Sequence, residues 1–85
     1  MNAIEKACLT YVAETVKSDP RVGRVTVITL NKMAKEVAEE TDTAEGYVGD
    51  IICALIRNRQ ISWRLFRYTS EIHSLARELR RQSSS

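Results

Sequence analysis

Arginine is the residue most able to do chemistry in this chain. Arg57, Arg59, Arg64, Arg67, Arg77, Arg80 and Arg81 all fall in residues 57–85, a stretch with no lysine. Trp63, Phe66 and Tyr68 are interleaved with them. A guanidinium forks onto phosphate or carboxylate oxygens and stacks on flat rings, whereas an ammonium is closer to a point charge. The pattern reads as a binding surface, and nucleic acid is the first partner to consider.

Charge is segregated along the chain. Residues 57–85 set the seven arginines against Glu71 and Glu78, a net of +5. Residues 1–56 set six Lys/Arg against nine Asp/Glu, a net of −3. The formal net charge of +2 conceals this division.

Catalytic chemistry finds little support. His73 is the single histidine, and Ser70 lies one helical turn before it. No third group is placed to orient the ring, as an activated nucleophile requires. Cys8, Cys53 and His73 give at most three soft metal ligands without paired spacing, and a structural zinc needs four. No glycine-rich phosphate loop occurs. The chain is therefore read as a non-enzyme with no metal and no cofactor.

Eighty-five residues make one domain, expected over 1–82 with a disordered tail at 83–85. A chain of this size buries only about 60–65% of its unfolded surface, so oligomerisation would add welcome apolar burial. The apolar runs Val25–Leu30 and Ile51–Ile56 fall far short of the roughly 20 residues a spanning helix needs. No membrane contact and no signal peptide are expected. Two cysteines do not make a disulfide framework, which points to reduced thiols and a cytoplasmic location.

The elements that must position the arginines follow from periodicity. Ile4, Ala7, Cys8, Tyr11, Val12, Thr15 and Val16 form one helical stripe, ended by Ser18-Asp19-Pro20. The β-branched run Val25–Thr29 favours a short strand. Thr29 or Asn31 can cap a second helix whose inner stripe is Leu30, Met33, Ala34, Val37, Ala38 and Thr41. Asp42 with Glu45 resembles a capping box. A third helix carries Tyr47, Val48, Ile51, Ile52, Leu55 and Ile56 inward and ends near Asn58. Residues 61–68 admit two readings. As a strand, Ile61, Trp63 and Leu65 share a face. As a helix, Ile61, Leu65, Tyr68, Ile72, Leu75 and Leu79 run in coiled-coil steps to the C-terminus. The strand is favoured, because the helix strands Trp63 and Phe66 on a second face. Ser70 then caps a last helix.

Helix, strand, helix, break, helix, strand, helix is the element order of residues 4–68 and beyond. Through Val25–Thr29 and the segment from Thr29 to Asn58, the chain resembles the winged helix-turn-helix family of DNA-binding domains. The resemblance implies an α+β, mainly helical fold, with a winged-helix-like three-helix core, a minimal two-stranded sheet and a C-terminal helix. It implies that the third helix meets the major groove, so that Thr43, Glu45, Gly46, Tyr47 and Asp50 lie near base edges. It also implies a homodimer, with Ile72, Leu75, Ala76 and Leu79 as the seam. That stripe can equally pack back within the chain.

The expected function is binding of duplex DNA as a small dimeric transcriptional regulator or architectural factor. Thr43, Gly46, Tyr47 and Asp50 would face the groove while Arg57, Arg59, Arg64 and Arg67 grip phosphates. Arg77, Arg80 and Arg81 are also explained by the dipole at the end of the last helix. The rival is a protein-interaction module. Gly46, Gly49 and Cys53 make a stripe of small residues fit for close approach, and Glu45 and Asp50 put carboxylates where phosphate would be repelled. A third reading is an all-helical dimer with a C-terminal coiled coil.

Overall fold

The computed structural model describes residues 2–18, 27–67 and 70–83. Four α-helices make the fold: α1 (Ala3–Ser18), α2 (Leu30–Thr41), α3 (Glu45–Arg57) and α4 (Ser70–Ser83). A 3₁₀ turn at Trp63–Leu65 interrupts the connection from α3 to α4. Helices α1, α2 and α3 pack on one another, and α4 packs against α3.

Each helix starts and stops for local reasons. Asn2 opens α1, its side-chain Oδ1 accepting from the Glu5 backbone N–H at 2.8 Å. Thr29 occupies the N-cap of α2 with extended backbone but makes no side-chain cap bond. Helix α2 closes on Asp42 in the left-handed region (φ 52°), which aspartate tolerates better than most residues. The Thr43 N–H then reaches back to the Ala38 carbonyl at 2.9 Å. Asp42 thus ends one helix instead of boxing the next. The N-cap of α3 is Ala44, with no side-chain cap bond. Only Asp42–Ala44 separates the two helices.

The core is apolar throughout among the described residues. Cys8, Met33, Val37, Val48, Ile52 and Ile72 have no measurable exposure, and Leu30, Leu55, Ile56, Leu75 and Ala76 surround them. Tyr11 ties α1 to α2 by donating its hydroxyl to the Glu36 carboxylate. Burial first, and then that bond, push its ionisation up to about 12. Burial pushes the Cys8 thiol up to about 11, with Glu5 adding to it. Neither cysteine is in a disulfide.

The two-stranded sheet and the winged-helix core are overturned: the described residues contain four helices and no strand. The segments expected to pair do meet, but in a single parallel bridge between Ile28 and Phe66. The Ile28 N–H donates to the Leu65 carbonyl, and the Arg67 N–H donates to the Ile28 carbonyl at 2.8 Å. The ladder cannot extend through residues 62–65, because they close into the 3₁₀ turn. Ser62 caps that turn by accepting from the Arg64 N–H at 3.3 Å. The turn also changes which side chains point inward. Ile61 and Phe66, five residues apart, are buried, while Trp63 and Leu65 are half-buried. No continuous helix runs from Ile61 to Leu79 either, so the coiled-coil register is broken at the same place. Val25, Thr26 and Tyr68 lie outside the described residues.

Candidate nucleic-acid interface

All seven arginines of the C-terminal third are exposed. The fold divides them. Arg59, Arg64 and Arg80 come together around one cleft of about 500 Å³, lined also by Ile56, Ile61, Ser62, Trp63 and Leu79. Among the described residues no carboxylate lines it.

Three separate segments build this basic cleft. Arg59 follows the end of α3, where the chain reverses. Its backbone is left-handed (φ 61°), and the Gln60 N–H returns to the Leu55 carbonyl at 2.9 Å. An L-residue costs about 1–2 kcal/mol in that region relative to glycine. Trp63 and Arg64 come from the 3₁₀ turn. Arg80 comes from the last turns of α4 and lies over the Trp63 indole, 4.8 Å from its centroid, with Arg64 at 5.7 Å. These cation–π contacts hold the end of α4 to the turn. Arg67, beyond the turn, is exposed with its backbone fixed by Ile28.

Arg57 sits elsewhere. A second, open cleft of about 720 Å³ lies between α2, α3 and α4. Glu45, Asp50 and Glu78 line it with Arg57, over a stripe of Gly46, Gly49 and Cys53. The expected groove-facing residues are divided: Gly46 and Asp50 line this cleft, whereas Tyr47, 51% exposed, and Thr43, half-buried with its hydroxyl donating to the Thr41 carbonyl at 3.0 Å, do not. Neither glycine is required by internal packing. A Cβ added at Gly46 or Gly49 would meet no atom within 4 Å.

The stripe expected at a dimer seam is internal. Ile72, Leu75 and Ala76 are buried in the chain's own core, and only Leu79 is half-buried. A seam there would have to uncover core residues. His73 is engaged along α4, accepting from the Arg77 guanidinium at 2.8 Å through Nε2. Among the described residues no group of three or more His, Cys, Asp or Glu could hold a metal ion, and no helix is long and apolar enough to cross a membrane.

Trp63 and Arg80 are the participants that periodicity does not reveal. They are 17 positions apart and meet only because α4 folds back on the turn. The one sequence signal is that Arg80 directly follows Leu79 of the inward stripe, which puts it at that stripe's edge.

Comparison with protein-family models, with curated proteins and with solved structures gives no match.

Proposed function

We propose that the protein binds duplex DNA through its basic cleft, with Arg59, Arg64 and Arg80 on phosphates and Arg67 as an outlying contact. The observation that carries this reading is the convergence of three guanidiniums from three segments on a cleft that no carboxylate lines among the described residues. Such a surface attracts a polyanion, and arginine matches phosphate with two parallel hydrogen bonds. Grip of this kind is independent of sequence, in keeping with an architectural or regulatory DNA-binding role. Two cysteines outside any disulfide accord with work in the cytoplasm.

The reading reassigns Arg57, Gly46 and Asp50. They share a cleft with Glu45 and Glu78, where a phosphate would meet like charge. A second reading is favoured by that cleft: Gly46 and Gly49 cost helix stability, and no packing among the described residues requires them. A protein partner closing on Gly46, Gly49 and Cys53 would supply the reason.

Fluorescence anisotropy of a labelled random duplex tests the first reading. Micromolar or tighter binding at low salt, weakening steeply as salt rises, is expected. Absence of binding at the lowest salt removes DNA as the partner and leaves the second reading.

A further inference from the structure

The basic cleft contains more than a phosphate grip needs. Guanidiniums on a convex face suffice for a backbone phosphate. Here they rim a concavity with an apolar floor of Ile56, Ile61 and Leu79 and an indole wall. Continuous duplex keeps its bases stacked inside the helix and has no ring to place there. An unpaired nucleotide has both a ring and a phosphate.

We propose that the cleft takes one unpaired nucleotide, its base against Trp63 and its phosphate on Arg64 and Arg80. The protein then prefers duplex with single-stranded ends to blunt duplex. The proposal rests on the DNA-binding reading above and names the part of the DNA that enters the cleft.

An exchange of partners makes entry favourable. In the structure two guanidiniums lie over the indole, Arg80 the nearer of them. At an accessible site a stacked base holds an aromatic ring more strongly than a cation does. An entering base therefore replaces Arg80 at the ring, and the released guanidinium turns to the incoming phosphate. Arg59, fixed at the rim by the chain reversal, meets the next phosphate. The Ser62 hydroxyl accepts from the Arg64 N–H and keeps its own proton to donate to the ligand. The apolar floor distinguishes a nucleotide from inorganic phosphate, and the three guanidiniums disfavour a cationic ligand.

Trp63 is the single tryptophan of the chain, so its emission reports directly on the cleft. The experiment titrates the full chain with a 5′-phosphorylated oligothymidylate while following that emission, with inorganic phosphate as control. In parallel, anisotropy compares a blunt duplex with the same duplex carrying a thymidylate overhang. A saturable emission change with the oligonucleotide alone is expected, together with about tenfold tighter binding of the overhang duplex. Arg80→Gln, an exposed substitution that leaves the core intact, should move the emission titration to several-fold higher oligonucleotide concentration, since one of the two phosphate contacts is lost. Trp63→Leu should remove the preference for overhang, read as the ratio of overhang to blunt-duplex affinity in that variant. Equal binding of both duplexes with unmoved emission overturns the proposal and leaves the phosphate grip standing. Failure to bind either duplex defeats the reading beneath it. An emission change with a glutamate-rich peptide but not with the oligonucleotide assigns the cleft to a protein partner and also overturns the proposal.

Discussion

The basic and the acidic cleft both form where α4 meets α3, and they differ in almost every other respect. One is lined by Glu45, Asp50 and Glu78 with a single arginine, over small residues. The other is lined by Arg59, Arg64 and Arg80 and, among the described residues, by no carboxylate, over large apolar residues and an indole. Sequence position alone puts Arg57 and Arg59 together, two residues apart. The end of α3 at Arg57 and the reversal at Arg59 send them to different clefts. Local electrostatic environment, more than the number of arginines, therefore decides which of them can serve a polyanion.

Substitutions can break this contrast, and the largest effect should come from reversing charge in the basic cleft. Arg64→Glu with Arg80→Glu is expected to weaken duplex binding by 100-fold or more at low salt. Each reversal removes an attraction and adds a repulsion to phosphate. The matching change in the acidic cleft, Asp50→Arg, should weaken it not at all. Anisotropy on both variants at one salt concentration reads the difference.

A smaller effect is expected at Arg59, where binding and stability should separate. Arg59→Gly removes one cation and lets the φ of 61° be held without strain. Binding should fall several-fold. Thermal stability should stay within about 1 kcal/mol of wild type or rise, since the relief of strain is offset by the greater freedom of glycine in the unfolded chain. Loss of both together would mean that Arg59 is a packing residue.

Cysteine labelling sharpens the contrast from the other side. Cys53 lines the acidic cleft, while Cys8 is fully buried with its thiol pushed up to about 11. A maleimide at pH 7 should modify Cys53 first and reach Cys8 only on unfolding. Filling the acidic cleft in this way should leave DNA binding unchanged. Loss of binding would return helix α3 to the interface.

The smallest effect is expected at Gly49. Gly49→Ala meets open space and should stabilise α3 by about 1 kcal/mol in thermal or denaturant unfolding, with duplex affinity unaltered. If an assembly exists and this methyl group disrupts it, the protein-partner reading of the acidic cleft gains its support.

Much of the helical core was legible from spacing. Leu30, Met33, Ala34, Val37 and Ala38 on α2, and Val48, Ile52, Leu55 and Ile56 on α3, are buried as the 3.6-residue period requires. Periodicity fails at element ends. Val16 and Tyr47 continue their stripes and yet are 43% and 51% exposed. Residues 61–67 defeat both regular periods, because a capped 3₁₀ turn places Ile61 and Phe66 inward at a spacing that neither strand nor helix produces. The β-branched run before α2 gives extended backbone at Thr29. A sheet also needs a partner that stays extended, and that is a tertiary condition. The arginines were legible as a population. Their partition was not, because contact between Arg80 and Trp63 depends on how α4 returns to the turn.

The most direct test counts phosphates. Labelled duplex is titrated with wild type and with the neutral double variant Arg64→Gln, Arg80→Gln across a range of salt. With Arg59, Arg64, Arg80 and the outlying Arg67 on phosphate, the logarithm of affinity should fall against that of salt with a slope of about −3.6 for wild type and about −1.8 for the variant. Equal slopes for the two proteins would contradict the grip assigned to the basic cleft.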